Sequence, residues 1–330
     1  MRKLYYLILV FLICIIVSIS FYNKKTNVKK TVYAFDTVIE MSIEGKNANE
    51  ATQKSVDLIK KYDDELSIFK KNSDVYLLNQ SKDFKVSDDV FKMISDAVEY
   101  SKKTNGYFDI TVKPVMELWN IQNGGYVPTE DELKNSLEKV GYRNIVINDE
   151  SITLKNDASI DLGGIAKGYC ANKINDIMNE YGVKQAIINM GGNIYVLGDR
   201  TFEIGLQNPN GARGEHFGIC TVKNTSVVTS GAYERYFESG GKRYHHIINP
   251  YTGKCADSHL ESVTIIGENS EKCDAFSTAV YVLGKEEGIK LLNNEPDLEY
   301  VIADENKNVY ISENIKFRLT DERYKIHKWN

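Results

Sequence analysis

Four stretches of this 330-residue chain hold more glycine, acid and hydroxyl side chains than core packing asks for. Asp161-Leu162-Gly163-Gly164-Ile165-Ala166-Lys167-Gly168 lies where a strand pattern gives way to a helical one. Backbone amides at a helix start attract phosphate, glycines allow close approach, and Lys167 adds positive charge. The spacing is neither a Walker A loop nor GxGxxG, and a glycine pair by itself is more often a tight turn. Ile188-Asn189-Met190-Gly191-Gly192-Asn193 is a second glycine turn, which alone reads as a hairpin or bulge. The third stretch runs from Thr229 to Tyr236 and on through Tyr244-His245-His246-Ile247-Ile248-Asn249-Pro250-Tyr251-Thr252-Gly253. Adjacent histidines on a strand point to opposite faces, so at most one of them lines a given pocket, where hydroxyls and a turn make it an acid–base candidate. In the fourth, Cys273 to Ala279, Asp274 and Thr278 are four apart. On a helix they share a face and can offer two hard oxygens to one cation; the plainer alternative is a helix start with Asp274 at its positive end.

The elements that must position these residues read as α+β rather than as a parallel doubly wound sheet. Strand-forming residues begin at Val32 and continue through Thr37, Val38 and Ile39. Ala48 to Leu66 forms an amphipathic helix with Val56, Ile59, Tyr62 and Leu66 on its apolar face. A second helix starts at the N-cap Ser87 and stops at Asn105-Gly106, and Thr129 with Glu132 makes a capping box for a third. Beyond Ile145 short strands alternate with turns, interrupted by helices over about 166–181 and 274–283.

Ahead of this domain, Arg2 and Lys3 precede an uncharged, mostly apolar run from Leu4 to Tyr22, long enough to cross a bilayer or to act as a signal segment. The reading is therefore a membrane segment over 1–22, a linker over 23–30 and one domain over 31–330, held at the cell membrane with the domain extracytoplasmic. Without Arg2 and Lys3, Lys+Arg falls from 41 to 39 against 46 Asp+Glu, a net charge of −7 that argues against nucleic acid as a partner. Cys170, Cys220, Cys255 and Cys273 show neither CxxC nor zinc spacing and read as small core residues.

Taken in order, these segments resemble the ApbE family of FAD:protein FMN transferases. The likeness covers Leu66-Ser67-Ile68-Phe69 with Ser73 and Leu78-Asn79, Gly106 to Thr111 with Pro114, Asp161 to Gly168, Asn189 to Asn193, Thr229 to Tyr236, His246 to Gly253, and Asp274 to Ala279. The resemblance implies a single ApbE-type domain that takes FAD as substrate and Mg2+ as cofactor. It passes FMN to a threonine of an acceptor flavoprotein, in a short Asp-Gly-x-Thr-type motif, and releases AMP. By the same resemblance Tyr107, Phe108, Asp109, Asp161, Lys167, Ile248 and Phe35 contact FAD. Gly164 through its carbonyl, Asp274, Thr278 and Ser277 hold the metal, and His246 is the catalytic candidate. Asn249 and Phe35-Asp36 depart from the family's usual HIIDP and Met-Gly-Thr. Hydrolysis of FAD to FMN and AMP, or flavin binding without chemistry, are the alternatives open to the same residues.

Overall fold

The computed structural model describes residues 26–212 and 214–328, so the membrane segment read over 1–22 lies outside the described residues. Among the described residues no helix is long and apolar enough to cross a membrane. A nine-stranded sheet forms the spine. In spatial order its strands are Thr26–Ala34, Thr37–Gly45, Gln185–Asn189, Asn193–Gly198, Thr225–Gly231, Leu260–Gly267, Glu299–Asp304, Asn308–Ile311 and Lys325–Lys328. Neighbours are antiparallel except for the last pair, as the α+β reading expects.

Helices α1 (Ala48–Glu65), α2 (Asp74–Ser81), α3 (Asp88–Lys103), α4 (Lys113–Trp119), α5 (Glu130–Leu137), α6 (Ala166–Glu180), α7 (Ser270–Leu283) and α8 (Lys285–Leu292) complete the domain. Helices α1, α3, α6 and α7 cover one face of the sheet, around Ile43, Ile59, Ile94, Ile174, Val228, Ile265 and Phe276. The other face packs on a three-stranded sheet, Phe317–Leu319, His216–Val222 and Phe202–Gln207, through Val196, Val227, Phe217 and Val301. Val227 and Val228 are adjacent and enter opposite cores, which is why the central strands read as continuous apolar runs rather than as alternation. A third, small cluster of Val115, Trp119, Leu133 and Ile248 seats α4 and α5 against the segment after His246.

The capping box is formed: Thr129 Oγ1 accepts from the Glu132 amide and the Glu132 carboxylate accepts from the Thr129 amide. Pairing begins at Thr26, inside the segment read as linker; Thr26–Gly45 pairs through Ala34–Thr37 as a hairpin whose polar outer strand is mostly exposed. Helix α7 starts at Ser270, four residues before Asp274, with Asn269 as its cap. Asp274 is thus a buried second-turn residue, not an exposed one at the helix start. The four described cysteines are free, three of them buried, as small core residues would be.

Candidate active site

One cleft of about 1310 Å³ opens where the glycine-rich turns meet α6 and α7. It is lined by Phe35, Tyr107, Phe108, Asp109, Asp161, Gly164, Lys167, His246, Ile248, Asp274 and Thr278, every site residue expected from sequence except Ser277. The loop from Asp161 is held from below: the Asn79 side chain pairs with the Ile160 backbone on both sides, its Nδ2 donating to the carbonyl at 2.9 Å and its Oδ1 accepting from the amide at 2.7 Å. Asp161 Oδ1 accepts from the Gly163 amide at 2.6 Å, closing the turn that starts α6. No side chain caps α6, and its first turn presents Lys167 to the cleft. A Cβ on Gly164 would stand 3.2 Å from the Phe108 ring, so the ring and the turn backbone pack directly.

Helices α6 and α7 cross at Gly168, where an added Cβ would meet the Ser270 carbonyl at 2.5 Å. That contact brings the Gly168 amide to Asp274 Oδ2, 3.0 Å away. Burial is the largest influence on the Asp274 carboxyl and raises its pKa, against the opposing pull of Lys167 and the Gly168 amide. Thr278 lies one turn further along the same helix and faces the cleft. Ser277 does not line the cleft: its hydroxyl donates to the Asp274 carbonyl at 2.9 Å and meets the cleft-lining Ser230 Oγ at 2.8 Å, tying α7 to the Thr225–Gly231 strand.

Among the described residues there is no cluster of three or more His, Cys, Asp or Glu side chains suited to a metal. A buried carboxylate, a hydroxyl and the Gly164 carbonyl nevertheless fit a hard cation such as Mg2+, which keeps waters and binds substrate phosphates rather than an all-protein cage. Asp274 is buried and desolvation disfavours its charged form, and a positive partner there would offset that cost.

Asp109 reaches the cleft, yet both its oxygens are engaged by the protein. Oδ1 accepts from the Thr111 amide at 2.8 Å and hydroxyl at 2.6 Å, and Oδ2 accepts from the Tyr142 amide at 2.7 Å. It thereby ties the start of the Ile110–Val112 turn to Tyr142, and Tyr107 packs 5.1 Å from the Tyr251 ring. Phe35 sits at φ 52° in a two-residue turn with Asp36 at φ 54°, its amide fixed by Asp63 Oδ1 at 2.7 Å. Glycine or a short polar residue suits that left-handed turn, so a phenylalanine there is held by its surroundings.

Of the two histidines only His246 lines the cleft; His245 is buried, with Nε2 at 3.0 Å from the Ala256 carbonyl. His246 Nδ1 lies 3.2 Å from the Arg235 carbonyl, which can only accept, so that nitrogen carries the proton and Nε2 keeps its lone pair. Desolvation, with the nearby charges of Arg235 and Lys167, pushes the imidazole down to about 3. Two cleft residues went unnamed in the sequence reading although their stretch was quoted: Glu234 and Arg235.

Comparison with known proteins places this arrangement. The pattern of the ApbE family matches residues 35–302. An FAD:protein FMN transferase of Klebsiella pneumoniae is 33% identical over 278 residues, 82% of this chain and 87% of the relative. One from Treponema pallidum is 31% identical, with 74% of each chain covered. Among solved structures, an ApbE protein from Thermotoga maritima superposes with a TM-score of 0.82 at 28% identity, covering 87% of this chain and 97% of that one.

Proposed function

Because the chain belongs to the ApbE family, we propose that it is an FAD:protein FMN transferase that places the FMN half of FAD on a threonine of an acceptor protein and releases AMP. The observation that carries this reading is the meeting of four sequence-distant stretches, with their cations, carboxylate and histidine, in one cleft large enough for a dinucleotide.

In the reaction the phosphorus–oxygen bond to AMP breaks and one to the threonine oxygen forms. The threonine proton must be accepted, and negative charge grows on phosphoryl oxygens and on the departing phosphate. Lys167, in the first turn of α6, faces that charge. Asp274, Thr278 and the Gly164 carbonyl would hold Mg2+, which when bound supplies further neutralisation of the diphosphate. His246 offers Nε2 to the hydroxyl proton, its ring fixed by the Arg235 carbonyl. Desolvation first, and then the charges of Arg235 and Lys167, keep it neutral and weakly basic in the free cleft; a diphosphate beside the two cations offsets their share and strengthens the base. Phe35, Tyr107, Phe108 and Ile248 form the apolar side where the flavin ring would lie.

We also infer that residues 4–22 anchor the chain, with the domain outside the cytoplasmic membrane and acceptors there bearing an Asp-Gly-x-Thr-type motif. The uncharged run behind Arg2 and Lys3 motivates this. Incubation with FAD, Mg2+ and a motif-bearing acceptor should add the mass of an FMN phosphoester to the acceptor, with AMP in equal amount. FMN and AMP without a change in acceptor mass would make the enzyme a hydrolase instead.

A further inference from the structure

Two cations face the cleft without a salt bridge to any carboxylate among the described residues, Lys167 and Arg235. Arg235 is half-buried between the Thr225–Gly231 strand and the Tyr236–His245 hairpin. Among the described residues its guanidinium makes one hydrogen bond, from Nη2 to the Phe35 carbonyl at 3.5 Å, and spends no other donor. Asp161 and Glu234 both feel its charge, yet neither comes within ion-pair distance. Asp161 Oδ1 is occupied by the Gly163 amide, and Glu234 is drawn on by Lys167 as well. A half-buried guanidinium has lost part of its hydration, and its planar fork matches two oxygens of one phosphoryl group. No described residue supplies such a pair of oxygens at this point.

The two cations belong to different segments, which assigns them. Lys167 belongs to the start of α6, beside Gly164 and within the field of Asp274. Arg235 is tied to Phe35, on the apolar side of the cleft, and its backbone carbonyl accepts from both the His246 amide and Nδ1, each at 3.2 Å. A phosphoryl group that reached both the guanidinium and His246 would be the one nearer the flavin.

On the transferase reading, we propose that Arg235 is the second cation of the diphosphate site, its guanidinium gripping the flavin-side phosphoryl group that is transferred while Lys167 holds the nucleotide side. The same residue therefore serves twice, its side chain on substrate and its main chain on the base. Replacing the side chain removes only the first role.

Calorimetric titration of the full chain with inorganic pyrophosphate, FAD and riboflavin separates the roles. For Arg235→Gln, pyrophosphate and FAD should bind about 10- to 100-fold more weakly, the loss of a charge-assisted pair, with riboflavin unchanged within about twofold. Arg235→Lys should fall between, since it keeps charge without the fork, and it answers the same comparison if Arg235→Gln fails to fold. Wild-type pyrophosphate affinity in a folded variant overturns the inference. So does an equal loss of riboflavin and FAD, which would assign Arg235 to the flavin ring. A wild-type chain that binds FAD and pyrophosphate through Arg235 but modifies no acceptor would sink the transferase reading and leave the clamp standing.

Discussion

Gly168→Ala tests whether a single helix crossing sets both the stability of the domain and the proposed cation site. The added Cβ would lie 2.5 Å from the Ser270 carbonyl oxygen, 2.6 Å from the Glu271 Cα and 2.8 Å from the Glu271 amide nitrogen. All three are backbone atoms of the first turn of α7, so no side chain can swing aside. Restoring even a tight contact of 3.0 Å from 2.5 Å requires α6 and α7 to part by about 0.5 Å. Overpacking of this kind costs about 1–3 kcal/mol. At roughly 2–4 °C per kcal/mol for a domain of this order of size, the melting temperature should drop by roughly 2–12 °C. The same movement carries Asp274 off the Gly168 amide that now holds it at 3.0 Å. Misplacing a catalytic group by about 1 Å costs about 100-fold, so half that distance should slow transfer by about tenfold and raise the Mg2+ concentration needed. Gly182→Ala is the control: it has a positive φ of 62° but nothing within 4 Å, so it should lose about 1 kcal/mol with transfer unaffected. Thermal melts and an Mg2+ titration of acceptor labelling read both effects. If Gly168→Ala melts within about 1 °C of wild type and labels acceptor at the wild-type rate, the crossing does not position Asp274.

Asp274→Ala should slow transfer by about two orders of magnitude or more, and Thr278→Ala by less; EDTA should stop the wild type and Mg2+ restore it, and full activity of Asp274→Ala in EDTA would end the metal proposal. His246→Ala should reduce transfer by about 10²- to 10⁴-fold with FAD affinity retained, and wild-type turnover in that variant would move the base elsewhere. Burial, then Asp96, pushes the Glu271 carboxyl from 4.5 up to about 9, so the folded state keeps a proton that the unfolded state has lost. Stability should therefore fall by up to about 1.4 kcal/mol per pH unit between those values, and Glu271→Gln should flatten that dependence in denaturation curves; an unchanged slope would refute it. A reporter fused after Asn330 should be active only outside the cytoplasm, and cytoplasmic activity would refute the proposed topology.

What sequence could show of this site was set by how locally each residue's role is written. Asp274 and Thr278 share a helical face at any position along α7, so their joint presentation was legible from spacing. The rotation of α7 was not: it ties Ser277, one residue before Thr278, to the Ser230 hydroxyl, so that Ser277 itself does not line the cleft. The helix start was misread because Cys273-Asp274 looks like a beginning. Ser270, Glu271 and Lys272 are buried, Lys272 in a pair with Glu295 and Asp297 that only the tertiary fold creates. Thr26–Lys30 reads as linker because an edge strand with exposed lysines lacks the alternation that marks a half-buried one. Arg235 carried no local sign at all, since an arginine in a turn is ordinarily a solvated one. Its placement between Phe35 and His246 depends on segments 200 residues and 11 residues away.

The nine strands of the main sheet stand side by side in the order in which they occur along the chain, so each finds its partner already synthesised. The exception in timing is the strand Thr37–Gly45, whose outer edge is covered only by Gln185–Asn189. The 140 residues from Gly45 to Gln185 take roughly 7–28 s to make at about 5–20 residues per second. Through that interval the chain carries a hairpin with one row of unpaired amides and carbonyls beside Met41 and Ile43, the arrangement that invites pairing between chains. Helix α1 follows at once and covers the apolar face, but a helix packed on a face leaves the edge bare. The newborn chain is therefore most exposed to mispairing before its own third strand appears.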